Sequence, residues 1–98
     1  MTRIEFAPKV SEDFERIIAH REKLEAQHIQ ARMDEIIQAI ATLEKNPKVG
    51  RPARGEMREL IIGRDAQGYV ALYQYIPEID IAFVLAIRSQ REAGYRSV

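Results

Sequence analysis

The spacing of apolar residues changes once along this chain of 98 residues, and that change constrains the fold more than any other feature. From residue 27 to residue 44, apolar side chains recur every three or four positions, as they do on one face of a helix. They are Ile29, Met33, Ile36, Ile37, Ile40 and Leu43. From residue 57 onward the apolar period becomes two, which is typical of strands. Residues 57–63, 68–76 and 79–88 therefore predict three strands, and the short turns between them predict an antiparallel meander.

The first 26 residues add one strand and one helix to this pattern. Residues 2–7 alternate, with Ile4 and Phe6 on one face, and Pro8 ends the predicted strand. Apolar residues from Phe14 to Leu24 then follow at helical spacing. Two helices so close in sequence favour an antiparallel hairpin. The first strand must join the sheet formed by the meander if Ile4 and Phe6 are to be buried.

These elements predict an α+β fold with the order β-α-α-β-β-β. The helix hairpin is expected to pack on one face of a four-stranded, mainly antiparallel sheet, in a single domain that spans residues 1–98. The last strand carries apolar residues on both faces, which predicts a central position in the sheet. Tyr69, Tyr73 and Tyr75 share one face of the strand before it. We expect this tyrosine stripe to face solvent, where it serves cross-strand packing or the docking of a partner.

Several classes of function are excluded by what the sequence lacks. The chain has no cysteine, so it has neither disulfides nor thiolate metal sites. His20 and His28 have no other evident ligands beside them, and we predict no metal site, no cofactor and no catalytic residue. No apolar run approaches the roughly 20 residues of a membrane helix, and the N-terminal residues do not resemble a signal peptide. A cytoplasmic protein that does not contact membranes is the expectation.

Positive charge is concentrated in the second half of the chain. Residues 1–44 contain six basic and nine acidic residues, whereas residues 45–98 contain nine basic and six acidic ones. The segment 46–60, NPKVGRPARGEMREL, combines arginines with two prolines and two glycines, which predicts a fixed, non-helical connection between helix and sheet. Its arginines and those near the C-terminus suit a phosphate or an acidic protein surface. The alternative is that they form ion pairs with acidic residues of the same chain.

Five short stretches resemble the RelE/ParE superfamily of toxins from bacterial toxin–antitoxin modules. They are NPKVGRP, RELIIG, GYVALYQY, VLAIR and QREAGY, in the order and spacing of that superfamily. The resemblance covers essentially the whole chain and implies the same β-α-α-β-β-β fold. It also implies a cognate antitoxin, encoded alongside, that wraps the toxin in a hetero-oligomer and suppresses it.

The resemblance also bears on the branch of the superfamily. RelE-like members cleave mRNA on the ribosome and typically carry lysines on the strand matching RELIIG and an arginine after the Gly-Tyr of the next strand. This chain has Glu59, Ile61 and Val70 at those places. ParE-like members, which are associated with plasmid stabilisation, bind and inhibit DNA gyrase. The resemblance therefore implies a non-catalytic gyrase inhibitor that does not contact nucleic acid directly.

Two other functions stay open at this point. One is a ribosome-dependent mRNA endoribonuclease that uses Arg58, Arg64, Arg88, Arg91 and Tyr95, of which Arg91 and Tyr95 match superfamily residues in QREAGY. The other is a degenerate toxin that only binds its antitoxin. We expect nine residues to contact the antitoxin or the target, with the antitoxin favoured as the acidic partner of the basic residues. They are Arg51, Arg54, Arg58, Arg64, Tyr73, Tyr75, Arg88, Arg91 and Tyr95.

Overall fold

The computed structural model describes residues 1–25, 28–63 and 68–95. Within them, the chain forms two α-helices, a short 3-10 helix and five strands in the predicted order. The helices are α1 (Val10–Glu25) and α2 (Ile29–Ala41), and the 3-10 helix Thr42–Glu44 extends α2. The strands are β1 (Arg3–Phe6), β2 (Arg51–Pro52), β3 (Met57–Ile62), β4 (Tyr69–Ile76) and β5 (Ile81–Ser89). The α+β class and the element order are confirmed.

The strands form a single mixed sheet in the order β1-β5-β4-β3-β2. β1 runs parallel to β5, and the other neighbouring pairs are antiparallel. The predicted central position of the last strand is confirmed, because β5 lies between β1 and β4. The sheet has five strands rather than the four predicted. The additional strand, β2, has two residues, ends in Pro52 and lies at the edge of the sheet. Proline has no N–H to donate, and it is tolerated there because the outer side of an edge strand has no neighbouring strand to bond.

The core lies between the helices and one face of the sheet. Its fully buried residues come from both helices and from β3, β4 and β5. They include Val10, Ile17, Ile36, Ile40, Leu43, Ile62, Ala71, Ala82, Val84 and Ile87. Ile4 packs against this core as expected, but Phe6 is 52% exposed. The expectation that Phe6 would be buried is wrong, because β1 is an edge strand and its last side chain lies beyond the cover of the helices.

The tyrosine stripe on β4 faces the core rather than solvent, so that prediction is wrong. Tyr69 and Tyr73 are fully buried. The hydroxyl of Tyr73 donates a hydrogen bond to the backbone oxygen of Pro47 (2.7 Å) and accepts one from the backbone N–H of Gly50 (2.9 Å). The burial of this polar group is tolerated because both bonds satisfy it. Tyr75, at the end of the strand, is half-buried.

Residues 46–56, between the 3-10 helix and β3, follow the non-helical path expected from their prolines and glycines. Besides Tyr73, the side chain of Arg58 holds this segment, donating to the backbone oxygens of Lys48 (3.1 Å) and Gly50 (2.8 Å). A Cβ on Gly50 would lie 2.6 Å from the Tyr73 ring, so glycine is required by this close approach. Side chains of β3 and β4 therefore hold this connection against the sheet.

A buried carboxylate ties helix α1 to the end of strand β5. Asp13 is 1% exposed, and its side chain accepts hydrogen bonds from Arg16 (2.7 Å) and from the backbone N–H of Ile87 (3.0 Å). Lys9 pairs with the same carboxylate at 3.2 Å. Arg16 also pairs with Glu92, at 3.0 Å, so the segment after β5 is joined to the helix. Asp13, in the first turn of α1, thus connects the helix to β5, and Arg16 connects it to the segment that follows β5.

Candidate binding surfaces

The face of the sheet opposite the helices carries both apolar and charged side chains. The register aligns Arg51 of β2 with Glu59 of β3, Glu59 with Leu72 of β4, and Leu72 with Ala86 of β5. We call the face that carries these side chains, opposite the helices, the open face. A bulge at this point of the β4–β5 ladder leaves Leu85 without a partner, which moves Ile87 to the core face and Ala86 to the open face. The strict alternation expected along the last strand is therefore broken.

Four residues of the open face form a connected group, which we call the Glu59 cluster. The hydroxyl of Tyr95 donates to Glu59 Oε2 at 2.6 Å. The Nε and NH2 groups of Arg51 each lie 3.1 Å from Glu59 Oε1. The guanidinium of Arg88 lies over the Tyr95 ring, 5.0 Å from its centroid, and donates to the backbone oxygens of Ser89, the last residue of β5, and of Glu92. The C-terminal tyrosine is thus held against the sheet by a carboxylate and a cation.

The charge states in this cluster are set by its own contacts. The hydrogen bond from Tyr95, together with Arg51, lowers the pKa of Glu59, although burial acts in the opposite direction. Burial raises the pKa of Tyr95, and the bond to Glu59 raises it further. At neutral pH Glu59 is therefore an anion and Tyr95 a neutral phenol. Neither group has a pKa near 7, as an efficient general acid or base requires.

A small cavity of about 240 Å³ lies beside this cluster. We call it the Tyr95 pocket, and it is lined by Ala53, Arg54, Met57, Glu59, Leu72 and Tyr95. The side chain of Leu72 is almost fully buried, whereas Arg54 is exposed. The pocket thus combines an apolar wall with a cationic side chain that is accessible to a partner.

The predicted site residues divide into separate groups in the structure. Arg51, Arg54, Arg88 and Tyr95 come together on the open face, and Arg91 is exposed in the segment after β5. Arg58, Tyr73 and Tyr75 do not belong to that surface. Arg58 and Tyr73 fasten the connection before β2, and the hydroxyl of Tyr75 donates to Asp80 Oδ1 at 2.8 Å. Arg64 lies outside the described residues. Tyr73 is fully buried in this structure, and both of its hydroxyl bonds are internal.

A second surface, which the sequence reasoning missed, is apolar. A groove of about 710 Å³ runs beside the edge strand β1 and the two helices. Its lining residues are Phe6, Ala7, Pro8, Val10, Ser11, Phe14, Ile18, Met33, Ile37 and Ile40. We call it the β1–helix groove. Ile37 is 57% exposed there. Because Ile36 and Ile37 are consecutive, the apolar stripe of the helix is wider than the face that the core buries, and this was the signal in the sequence.

Among the described residues, no group of three or more histidine or carboxylate side chains is placed to hold a metal ion. Within the same part of the chain, no helix has the length and apolar character needed to cross a bilayer.

A helix hairpin on one face of a mixed sheet, with basic and aromatic side chains on the opposite face, is an arrangement shared with solved structures from two toxin–antitoxin systems. The structure of the chromosomal ParDE toxin–antitoxin system from P. aeruginosa is similar, with a TM-score of 0.76 and 19% identity over 91% of this chain and 96% of that one. The intact RelBE toxin–antitoxin complex from E. coli is also similar, with a TM-score of 0.62 and 16% identity over 94% of this chain and 100% of that one. At such low identities these likenesses establish the fold.

The family model for the ParE toxin of the type II toxin–antitoxin system parDE matches residues 4–94, and the chain therefore belongs to the ParE toxin family. No curated protein sequence matches the chain significantly. The resemblance to the superfamily and to its ParE-like branch is confirmed, and so is the identification as a toxin of a type II module with an antitoxin partner.

Proposed function

We propose that this toxin inhibits DNA gyrase in the cytoplasm by binding it, without cutting RNA, and that the cognate antitoxin prevents that binding. The observation that carries the proposal is the Glu59 cluster. A ribonuclease must stabilise negative charge on a phosphate and must move protons. Here Glu59 places an anion on the open face, pairs with Arg51 and fixes Tyr95 as a hydrogen-bond donor. The arrangement favours binding over phosphate chemistry.

The neighbours of the cluster support the same conclusion. Ile61 and Val70, which face each other across β3 and β4, are apolar where a nuclease of the superfamily has basic residues. Arg88 is paired with Val70 in the register. Its NH1 group donates to two backbone oxygens and its guanidinium lies over the Tyr95 ring, whereas its buried Nε has no hydrogen-bond partner among the described residues. An incoming phosphate has to compete with those contacts and with the charge of Glu59.

The test compares the two activities directly with purified toxin. We expect inhibition of gyrase supercoiling and accumulation of cleaved DNA–gyrase complexes. Primer extension on ribosome-bound messages should give no new cuts. Tyr95→Phe removes the hydroxyl but keeps the ring over Arg88. An inhibitor that only binds should lose at most the contribution of the bond to Glu59, roughly tenfold or less, whereas a nuclease that needs the phenol should lose its activity. Codon-positioned cuts in mRNA that disappear in Tyr95→Phe are the result that contradicts the proposal.

One observation favours the alternative, a ribosome-dependent endoribonuclease. Arg51, Arg54, Arg88 and Tyr95 do share the open face, as the basic and aromatic residues of a nuclease would. The experiment above separates the two functions. A wild-type toxin that affects neither gyrase nor mRNA, yet binds antitoxin, identifies a degenerate toxin.

For the antitoxin, we propose the β1–helix groove as its main binding site. The groove is almost entirely apolar and adjoins β1, whose outer edge is available for pairing with an added strand. Ile37→Asp should weaken antitoxin binding by at least about tenfold, since it places a charge on a desolvated apolar contact. Gln38→Asp, at the neighbouring exposed position of α2, is the matched control. Equal effects of the two variants would assign the antitoxin to another surface.

A further inference from the structure

The two surfaces differ in the kind of interface that they can form. The β1–helix groove is large and apolar, whereas the Tyr95 pocket is small and has charged side chains in its wall. Long-lived complexes use the more apolar interfaces, and transient encounters use smaller and more polar ones. If the groove holds the antitoxin in a stable complex, the Tyr95 pocket remains available for a second, more transient partner.

The electrostatic character of the Tyr95 pocket limits what that partner can be. Both oxygens of Glu59 are already bonded, Oε2 to Tyr95 and Oε1 to Arg51, and the side chain of Glu59 is only 15% exposed. Arg51 is 61% exposed even while it is paired, and Arg54 is exposed in the pocket wall. The accessible charge is therefore positive. It attracts carboxylates, which bind guanidinium groups in a bidentate manner.

The pocket also has an apolar part of limited size. Met57 and Leu72 provide apolar wall, and the volume of about 240 Å³ suits one side chain rather than a helix. Apolar contact in a pocket, surrounded by polar interactions, is the usual arrangement of a binding hot spot. The ligand that this chemistry fits is a short protein segment with one apolar side chain beside acidic residues.

We infer that the Tyr95 pocket binds such an acidic segment of the toxin's target protein, with Arg54 as a residue that contacts it. This inference rests on the proposed function, since it takes the target to be a protein. It assigns the target to the open face and leaves the antitoxin in the β1–helix groove. Arg51 and Arg54 are thereby assigned to the target, although the sequence alone favoured the antitoxin as the partner of the basic residues.

The test uses Arg54→Glu, which reverses the charge of the pocket wall without touching the core. Lys45→Glu is the matched control, because it makes the same change of charge at an exposed position that does not line the pocket. Growth arrest after induction measures toxicity whatever the target is, gyrase supercoiling measures the proposed target, and calorimetry measures antitoxin binding. Circular dichroism melting checks that both variants fold.

We expect Arg54→Glu to weaken growth arrest and gyrase inhibition by about tenfold or more, and to reduce the salt dependence of the inhibition. Antitoxin affinity should stay within about twofold of wild type, and Lys45→Glu should behave like wild type in every assay. The inference is overturned if Arg54→Glu arrests growth as wild type does, or if it lowers antitoxin affinity instead. If the wild-type toxin cuts mRNA and Arg54→Glu abolishes the cutting, the pocket contacts RNA, and the proposed function fails with it.

Discussion

Removal of the Asp13 carboxylate should destabilise this domain more than removal of any exposed charge. Asp13→Ala leaves the backbone N–H of Ile87 buried without its acceptor, which costs about 1–3 kcal/mol. It also removes the partner of Arg16 and Lys9 at a site that is 1% exposed. Loss of one member of a buried ion pair costs about 3–5 kcal/mol. Because Arg16 keeps Glu92 as a partner, we expect the free energy of unfolding to fall by about 3 kcal/mol, the lower end of that range.

The expected loss is a large fraction of the domain's total free energy of unfolding, so it can be measured. A domain of this length has a total stability of about 5–15 kcal/mol, and each kcal/mol shifts its melting temperature by about 4–8 °C. Urea unfolding of the isolated toxin, followed by circular dichroism, gives the difference directly. Glu12→Ala is the matched control, since it removes an exposed carboxylate from the same helical turn and should stay within about 0.5 kcal/mol of wild type.

Asp13→Asn tests the reasoning further, because the amide oxygen still accepts from Ile87 while the charge is lost. It should fall between wild type and Asp13→Ala. If Asp13→Ala and Glu12→Ala unfold at the same urea concentration with the same slope, the contacts of Asp13 do not stabilise the fold.

Three further predictions concern the connection, the open face and the antitoxin. Gly50→Ala should lower the free energy of unfolding by about 1–3 kcal/mol through overpacking, because its Cβ would lie 2.6 Å from Tyr73; Gly94→Ala, with open space around it, should change little in the same urea assay. The lowered pKa of Glu59 means that its contribution to stability is present above the ordinary glutamate pKa and is lost as the pH falls through the lower, folded-state value. We would measure urea unfolding between pH 3 and pH 7, roughly the range in which carboxylates titrate. As the pH falls, the free energy of unfolding of Glu59→Gln should decrease less than that of wild type, and identical profiles would contradict the assignment. Antitoxin binding should bury about 1,000–3,000 Å² and give a strongly negative heat-capacity change in calorimetry, whereas a change near zero would mean that the groove is not used.

The order of helices and strands was predictable from the sequence because the apolar period is a local property. The stripe from Ile29 to Leu43 requires a helix whatever lies around it, and the alternation after residue 56 requires strands. The prolines and glycines of residues 46–60 likewise predicted a connection without helix. Local spacing did not predict β2, because two residues are too few to show a period and their strand character depends on pairing with β3.

The candidate site was predictable in its residue types but not in its arrangement. Arg51, Arg54, Arg88 and Tyr95 were named from their chemistry and from the resemblance to the superfamily. Glu59, which binds both Arg51 and Tyr95, was noted only as an unsuitable residue for a nuclease. Its partner Tyr95 is 36 positions away, and that contact exists only because the segment after β5 returns across the open face.

The sequence by itself therefore determined the elements, the class and the presence of a basic region, since periodicity, turn residues and charge can be read along the chain. Only the tertiary structure decided which face of each strand is inside. β4 is apolar on both faces, so its alternation fits either orientation. In the observed orientation the tyrosines of β4 point inward, and the hydroxyl of Tyr73 bonds to Pro47 and Gly50. The bulge at Leu85 exchanges the faces on which the side chains of β5 lie after it. These choices depend on contacts between residues far apart in the sequence, which no local pattern records.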